Sequence, residues 1–291
     1  MPSGARRRLR QTEAPEPRRA SGVTRVHVTV WDGAGSAEGT PPAVFAHGIF
    51  TWGTDEAYGF GAQRPLAADR PLHLVDRRGY GDSPDIRRSD FETDAADLAE
   101  VLAELPAGAH LVGHANGGLA ALLAAALHPG LVRSLALIQP AAFWPAAGEP
   151  AVAALLERTA DAVPVPEDTP AEDYLRASTE GLGMTMPEPT PRRLRAVRTS
   201  MRERPVWEAA GDLAPLAAAP WPKLVIAGDW EDAPPLYRKY AGEALRAAAR
   251  VVAREIGGDH LTVPGYYPHT QQPERVNAAL RALWGRAEGR G

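Results

Sequence analysis

The sequence predicts an α/β fold, in which a doubly wound and mostly parallel sheet carries a helical lid as an insertion. Two observations indicate this fold. Short apolar runs alternate with helical patterns along most of the chain, which is typical of a parallel sheet covered by helices on both faces. Between about 140 and 220 the alternation stops, and helical patterns follow one another with no strand between them.

The predicted strands are short runs of apolar residues. The first, TRVHVTVW (24–31), alternates apolar and polar residues, which is the period of a strand. The later runs are apolar throughout and end at turn residues, as expected for strands buried on both faces of a parallel sheet. These later runs are AVFAHG (43–48), LHLVD (72–76), HLVGH (110–114), SLALIQ (134–139) and KLVIAG (223–228).

Helical patterns separate these strands and also fill the insertion. They are DAADLAEVLAEL (94–105), GGLAALLAAALH (117–128), EPAVAALLERTADA (149–162), AEDYLRASTEGLG (171–183) and PTPRRLRAVRTSMRER (189–204). We expect the last three over the carboxyl ends of the strands, where open α/β sheets bind ligands, and the alternative places them beside the sheet. The chain then divides into a disordered tail (1–21), a first part of the core (22–140), a helical lid (141–220) and a second part of the core (221–291).

Composition and charge exclude several classes of function. The 291 residues, 44% of them hydrophobic, can form a large core, and the net charge of −4 argues against non-specific nucleic-acid binding. No run approaches the ~18–20 apolar residues that span a bilayer, and no export signal opens the chain, so we expect a cytoplasmic protein. There is no cysteine, nucleotide fingerprint, metal-ligand cluster or phosphate loop, so we expect neither a metal nor a cofactor.

The segment GHANG (113–117) predicts a sharp turn between a strand and a helix. Gly113 and Gly117 lie two residues on either side of Ala115, and such a turn requires small neighbours because its central residue takes a strained backbone conformation. The amide of Asn116 then points from the amino end of the helix. In FAHGIF (45–50), the amide of Ile49 follows an earlier strand and is expected to point to the same place. Two converging amides would form an oxyanion hole.

Three motifs in this order resemble the α/β-hydrolase superfamily, in its lid-bearing, esterase, haloperoxidase-like and epoxide-hydrolase-like branch. They are HG at 47–48, D-x-R-G-x-G-x-S at 76–83 and G-H-x-x-G-G at 113–118, and the likeness runs from about residue 22 to 286. The resemblance implies a nucleophile–acid–histidine triad with its nucleophile at position 115. This chain has alanine there.

The resemblance also implies an acid just beyond the strand that follows the lid. Glu231 occupies that place, with Asp232 adjacent and Asp229 nearer the strand. A carboxylate in this loop would orient a histidine and stabilise its cation. The other position that such proteins use, after the preceding strand, holds Gln139, which carries no charge.

The histidine depends on which segment forms the last strand. If RVVAREI (250–256) is that strand, GGDH delivers His260 to the active edge. If the helix continues through Ile256 and Gly257 caps it, HLTVPG (260–265) is the strand and His269 comes closest to the expected place. We favour the second alternative, because the segments around HLTVPG match the ending of the family.

A methyl group at position 115 can neither attack nor be acylated, so the covalent route is closed. Three explanations stay open. The chain is an engineered Ser→Ala hydrolase, or a natural serine-less enzyme whose acid–histidine dyad activates water or promotes cyclisation or lyase chemistry, or a non-catalytic protein that binds a small molecule or a partner.

We expect a small hydrophobic ester or acyl-type substrate, because large apolar side chains occur in the predicted lid and can line a pocket. The candidate pocket residues are His47, Trp144, Tyr174 and Met184, with Met186 and Trp207 as further candidates.

Overall fold

The computed structural model describes residues 25–33 and 39–289. The tail predicted for residues 1–21 lies outside this range. The described part forms one sheet of seven strands in the order β1-β3-β2-β4-β5-β6-β7. Only β1 is antiparallel to its neighbour in the described sheet, and the other pairs are parallel. The predicted doubly wound, mostly parallel sheet is therefore confirmed.

Each predicted strand is present, with small changes at its ends. The strands are β1 Val28–Trp31, β2 Ala43–Ala46, β3 Leu72–Val75, β4 Ala109–His114, β5 Val132–Ile138, β6 Lys223–Gly228 and β7 Asp259–Val263. Every residue of β2, β4 and β6 is buried, which explains why their sequences are apolar runs without alternation.

The helices are α1 Phe91–Ala103, α2 Ala115–Leu127, α3 Pro150–Thr159, α4 Ala171–Thr179, α5 Pro191–Arg202, α6 Ala214–Ala218, α7 Pro235–Tyr237, α8 Glu243–Glu255, α9 Pro268–Gln271 and α10 Pro273–Ala287. A π-helical turn, Arg238–Gly242, joins α7 to α8. The segment RVVAREI is therefore helical, and Gly257 follows it with a φ of +65°. Of the two alternatives for the last strand, the one that begins near residue 260 is correct.

Two hydrophobic layers enclose the sheet. On one face, apolar residues of α1, α2 and α8 pack against the strands, and Leu98, Leu119 and Val252 are almost completely buried there. On the other face, α10 and the 3-10 helix Gly61–Ala68 form the second layer, centred on Leu66 and Leu280. Helices on both faces explain how a sheet of buried strands avoids exposing its apolar side chains.

The helices between β5 and β6 divide into two groups. Helix α3 packs against α8 through Val152, Leu155 and Val251, beside the sheet. Helices α4 and α5 pack on each other, and α5 contacts the loops that follow β2 and β3 at the carboxyl edge of the sheet. Helix α3 therefore lies against α8 and helix α5 against the loops at the carboxyl edge, and a lid formed by these helices stays a prediction.

Candidate functional site

The predicted turn is present at the end of β4, and Ala115 is the first residue of α2. Its φ of +49° lies in the left-handed region, which costs a residue with a Cβ atom about 1–2 kcal/mol. A Cβ atom at Gly113 would lie 2.5 Å from the carbonyl oxygen of Gly117, and one at Gly117 would lie 2.3 Å from that of His47. Both flanking positions therefore require glycine, as the sequence indicated.

The described residues other than glycine with left-handed φ all follow the carboxyl end of a strand. They are Phe50 (+60°) after β2, Ala115 (+49°) after β4, Gln139 (+46°) after β5 and Trp230 (+62°) after β6. Local strain of this kind clusters at functional sites, where the surrounding fold enforces it. The carboxyl edge of the sheet is therefore the candidate site, even though position 115 carries only a methyl group.

The two amides expected to form an oxyanion hole flank this turn. A Cβ atom at Gly48 would lie 3.3 Å from the Cβ of Ala115, so the loop that contains Ile49 lies against the turn. Within residues 25–33 and 39–289, no acceptor takes a hydrogen bond from the backbone amide of Ile49 or of Asn116. Ile49 is 37% exposed, and Ala115 and Asn116 are half-buried.

His269 lies in α9 and is completely buried. Its Nε2 is 3.1 Å from the carbonyl oxygen of Tyr58, so Nε2 carries the proton and donates. Nδ1 is then the unprotonated nitrogen, and it has no hydrogen-bond partner in the described part of the chain. Burial lowers the pKa of His269 to about 4, so the ring is neutral at pH 7.

The ring of His114, the last residue of β4, packs against that of His269 at a centroid distance of 4.2 Å and an interplanar angle of 49°. The Nδ1 atom of His114 is also buried and lacks a partner among the described residues. Burial, together with His269 and His47, lowers the pKa of His114 well below its usual value. Two neutral imidazoles with unpartnered nitrogens therefore lie directly beside the turn.

His47, predicted to line the pocket, has both ring nitrogens engaged. Nδ1 donates to the carbonyl of Gly48 at 2.9 Å, and Nε2 accepts from the backbone N–H of Arg77 at 3.0 Å. The ring is completely buried, and burial lowers its pKa well below the usual value. His47 thus fixes the loops after β2 and β3, and it has no free nitrogen for a ligand.

The structure does not bring the candidate acids to His269. Glu231 and Asp232 are exposed, and no hydrogen bond joins either carboxylate to a histidine among the described residues. The nearby Asp229 accepts hydrogen bonds from the backbone amides of Glu231 and Gly265 through Oδ1, at 3.1 and 3.0 Å. Its carboxylate therefore ties the loops after β6 and β7 together.

Gln139 and Trp230 explain this arrangement. The Oε1 atom of Gln139 accepts from the indole N–H of Trp230 at 2.8 Å and from the amide of Gly228 at 2.9 Å, and its Nε2 donates to the carbonyl of Tyr266. The left-handed backbone of Trp230 points its indole into the core, where the ring is completely buried. The acidic residues that follow are consequently directed to solvent.

His260 lies near the amino end of β7, opposite Val225 of β6, and is exposed. The carboxyl ends of the strands carry the turn, so His260 is at the opposite edge of the sheet. The structure thus brings His269, and not His260, into contact with the turn region.

The predicted pocket residues from the lid have different surroundings. The ring of Tyr174 lies 6.1 Å from that of Phe50, in the loop after β2, and both belong to the cluster formed by α4 and α5. Trp144 donates its indole N–H to the carbonyl of Gly211 and packs against the core. Met184 is half-buried after α4. Tyr174 therefore contacts the loop that contains Ile49 through Phe50.

A buried charged network was not anticipated from the sequence. Glu203, which follows α5, accepts a hydrogen bond from the Nδ2 of Asn116 at 3.1 Å and pairs with the guanidinium of Arg77. The same Arg77 nitrogen pairs with Asp94 of α1 at 2.7 Å. The guanidinium of Arg77 also lies over the ring of Tyr80, 4.5 Å from its centroid. Two carboxylates thus share one guanidinium directly beside the turn.

Burial dominates the electrostatics of this network. Burial raises the pKa of Asp94 to about 7, with a further contribution from the nearby Glu203, and burial also raises the pKa of Glu203; in both cases the loss of water outweighs the attraction of Arg77. The same two carboxylates raise the pKa of Arg77, which is always charged. No local pattern marks Glu203, since it lies 126 residues from Arg77 in the sequence.

One group of described residues has metal-ligand geometry. Potential ligand atoms of His27, Asp76 and Asp82 lie within 4.8 Å of one another. The carboxylate of Asp76 already accepts from the amides of Gly53 and Asp82, and the guanidinium of Arg192 is 2.8 Å from Asp82. These contacts satisfy the cluster without an ion.

Among the described helices, none combines the length and the apolar character needed to cross a membrane.

Curated relatives match a limited part of the chain. The pimeloyl-[acyl-carrier protein] methyl ester esterase of Aeromonas salmonicida is 41% identical over 96 residues, which are 33% of this chain and 36% of that protein. The sn-1-specific diacylglycerol lipase ABHD11 of Danio rerio is 30% identical over 132 residues, 45% of this chain and 40% of that protein. The chain therefore matches only about a third to two fifths of the length of these relatives.

Solved structures resemble the whole fold. A hydrolase from Pseudomonas aeruginosa superposes with a TM-score of 0.59 at 22% identity, covering 89% of this chain and 94% of that one. The putative non-heme bromoperoxidase BpoC from Mycobacterium tuberculosis has a TM-score of 0.57 at 20% identity, covering 91% and 97%. The family model described as Alpha/beta hydrolase family matches residues 43–279, and this chain belongs to that family.

Proposed function

We propose that this protein binds a small ester or acyl compound with an apolar body at the turn after β4, and that it does so without forming an acyl-enzyme. The observation that carries the proposal is the geometry of Ala115, which has the strained φ of +49° between the amides of Ile49 and Asn116, neither of which has a partner in the described part of the chain. Free amides at a helix start attract a carbonyl oxygen or an anion. The methyl group leaves such a ligand unmodified.

The surroundings of the turn support a ligand with an apolar body. Ile49 is partly exposed, and Phe50 packs edge to face with Tyr174 of α4. The chain belongs to the alpha/beta hydrolase family, and relatives that match part of it are named esterases; both facts favour a carbonyl compound over other ligand classes.

Binding is favoured over water activation because the lowered pKa makes His269 a weak base. A base works best with a pKa near the operating pH, whereas the pKa of His269 is lowered to about 4. Its Nε2 proton is committed to Tyr58, and the exposed Glu231 and Asp232 form no described contact with the ring.

Two measurements test the proposal. Saturation-transfer NMR with methyl esters of C4 to C8 acids is expected to detect binding to the unmodified protein. Incubation with p-nitrophenyl butyrate is expected to give a mass increase of one butyryl group only in Ala115→Ser. That acyl-enzyme accumulates, because His269 is a weak base for the water that would release it.

The matched control is Ala126→Ser, which makes the same substitution near the end of α2 and is expected to gain no acyl group. Absence of both NMR transfer in the unmodified protein and an adduct in Ala115→Ser would contradict the proposal. Ester turnover by the unmodified protein that His269→Ala abolishes would also contradict it, and would identify an enzyme.

A further inference from the structure

A separate cleft lies on the side of α5 that faces away from the turn region. It has a volume of about 330 Å³, which is at the lower end of the ~300–1,000 Å³ typical of ligand pockets. The loop between β3 and α1 forms one wall and α5 the other. The lining residues are Asp85, Ile86, Arg87, Ser89, Arg195, Arg198, Thr199 and Arg202.

The cleft carries an excess of positive charge. Its one acidic residue, Asp85, is already paired with Arg195, at 2.6 Å. Arg87, Arg198 and Arg202 are exposed, and none of them has an ion pair within the described residues. Three guanidinium groups around one cleft therefore lack a compensating carboxylate.

The spacing along α5 concentrates this charge. Arg195, Arg198 and Arg202 are separated by three and four residues, so they project from the same face of the helix. Like charges at these separations destabilise a helix, and an anion between them would relieve the repulsion.

A buried hydroxyl in the cleft also lacks a partner. Ser89 is 1% exposed, and its Oγ has no hydrogen-bond partner among the described residues. Its backbone carbonyl, in contrast, accepts from the amide of Arg204 at 2.9 Å, which fixes the residue against the end of α5. Buried hydroxyls are normally hydrogen-bonded, so an unpartnered one lining a cleft indicates an acceptor that comes from outside.

We propose that this cleft binds the phosphate group of a small organic phosphate. Guanidinium groups bind phosphate oxygens in a bidentate manner, and the Ser89 hydroxyl adds a neutral donor for a third oxygen. Arg195 positions the loop, since it also donates to the carbonyls of Gly81 and Ser83. Arg87, Arg198 and Arg202 carry the binding, and the cleft is independent of the site at Ala115.

Calorimetric titration of the full chain tests this assignment, with inorganic phosphate and glycerol 3-phosphate as probes at constant ionic strength. Saturable binding of both probes is expected. Arg198→Ala and Arg202→Ala should each weaken it about tenfold, and Ser89→Ala about threefold, because each removes one donor to the phosphate. These arginines are exposed, so their removal leaves the fold intact.

Two controls make the result specific. Arg275→Ala removes an exposed arginine of α10 and should leave phosphate affinity unchanged. Ala115→Ser should also leave it unchanged, which separates this cleft from the proposed acyl site. Equal phosphate affinity in the unmodified protein and in Arg198→Ala/Arg202→Ala would overturn the proposal. Binding of poly-glutamate without binding of either phosphate would also overturn it and indicate an acidic protein partner.

Discussion

At the scale of single residues, the identity of residue 115 and its backbone conformation conflict. A left-handed φ is sterically unfavourable for alanine, yet the φ of Ala115 is +49°. The conformation is imposed by neighbours, because Gly113 and Gly117 bring β4, α2 and the loop after β2 into contact. The geometry of this turn therefore comes from the neighbouring backbone and does not depend on the side chain at position 115.

Replacing Ala115 by glycine should raise the free energy of unfolding by about 1 kcal/mol, because glycine adopts a left-handed φ without steric cost. Urea denaturation measures this change. The matched control is Ala126→Gly in the same helix, which should lower the free energy of unfolding by about 0.5–1 kcal/mol. If both variants are destabilised equally, the strain at position 115 is absent.

His269 should make the protein less stable in acid. Its pKa is about 4 in the folded protein and ~6.5 in an unfolded chain, so the unfolded state takes up the proton first as the pH falls. The stability contributed by the neutral ring is complete above pH ~6.5 and is lost as the pH falls through about 4, by on the order of 3 kcal/mol.

The variant His269→Gln tests this contribution, because glutamine retains an N–H donor for the Tyr58 carbonyl and does not titrate. Its free energy of unfolding should fall less than that of the unmodified protein between pH 7 and 4, as measured by urea denaturation. His128→Gln, at the exposed end of α2, should follow the unmodified protein. If the free energy of unfolding changes with pH in the same way in all three proteins, His269 does not cause the loss of stability in acid.

At the scale of elements, buried charges connect the insertion to the core. Arg77 lies in the loop after β3, Asp94 in α1 and Glu203 after α5, so one guanidinium links three separate segments. A buried ion pair adds little net stability compared with apolar packing, but removing one partner leaves an uncompensated charge. The network therefore makes the position of α5 depend on Arg77.

Arg77→Met should lower the free energy of unfolding by about 3–5 kcal/mol at pH 8, because two buried carboxylates lose their counter-ion. The loss should shrink as the pH falls towards 7, because without the attraction of Arg77 the carboxyl group of Asp94 takes up a proton at a higher pH than in the unmodified protein. Arg176→Met is the control: this arginine also pairs with two carboxylates, Glu172 and Glu180, but its side chain is half-exposed, so its loss should cost much less than that of Arg77. Equal losses would contradict the burial argument.

At the scale of the whole molecule, local patterns were sufficient for the sheet and insufficient for the site. The strands from β2 to β6 are apolar runs whose burial on both faces leaves a signal within a few residues. The separation of the candidate acids from His269 has no such signal, because it depends on how Trp230 turns the chain and on which loop Gln139 binds. Glu203 depends on the packing of α5, which spacing along the sequence does not encode.

The insertion should be able to open locally while the sheet remains folded. Helices α4 and α5 share only a small apolar cluster, and Arg193 connects α5 to the loop after β2 through a buried bidentate pair with Asp55, at 2.6 and 2.8 Å. Segments with few buried apolar contacts open at a lower free energy than the core. Together with the pairing of Arg77 with Glu203, Arg193 therefore holds α5 against the loops at the carboxyl edge.

Arg193→Met should accelerate amide hydrogen exchange in α4 and α5 at least tenfold, because it leaves the carboxylate of Asp55 without its buried partner. Peptides from β4, β5 and β6 should exchange as they do in the unmodified protein. Arg281→Met, which removes the half-exposed ion pair between Arg281 of α10 and Asp69, should leave hydrogen exchange in both regions unchanged. Faster exchange spread evenly over the sheet and the insertion would mean that the molecule unfolds as one unit, and that α5 has no opening motion of its own.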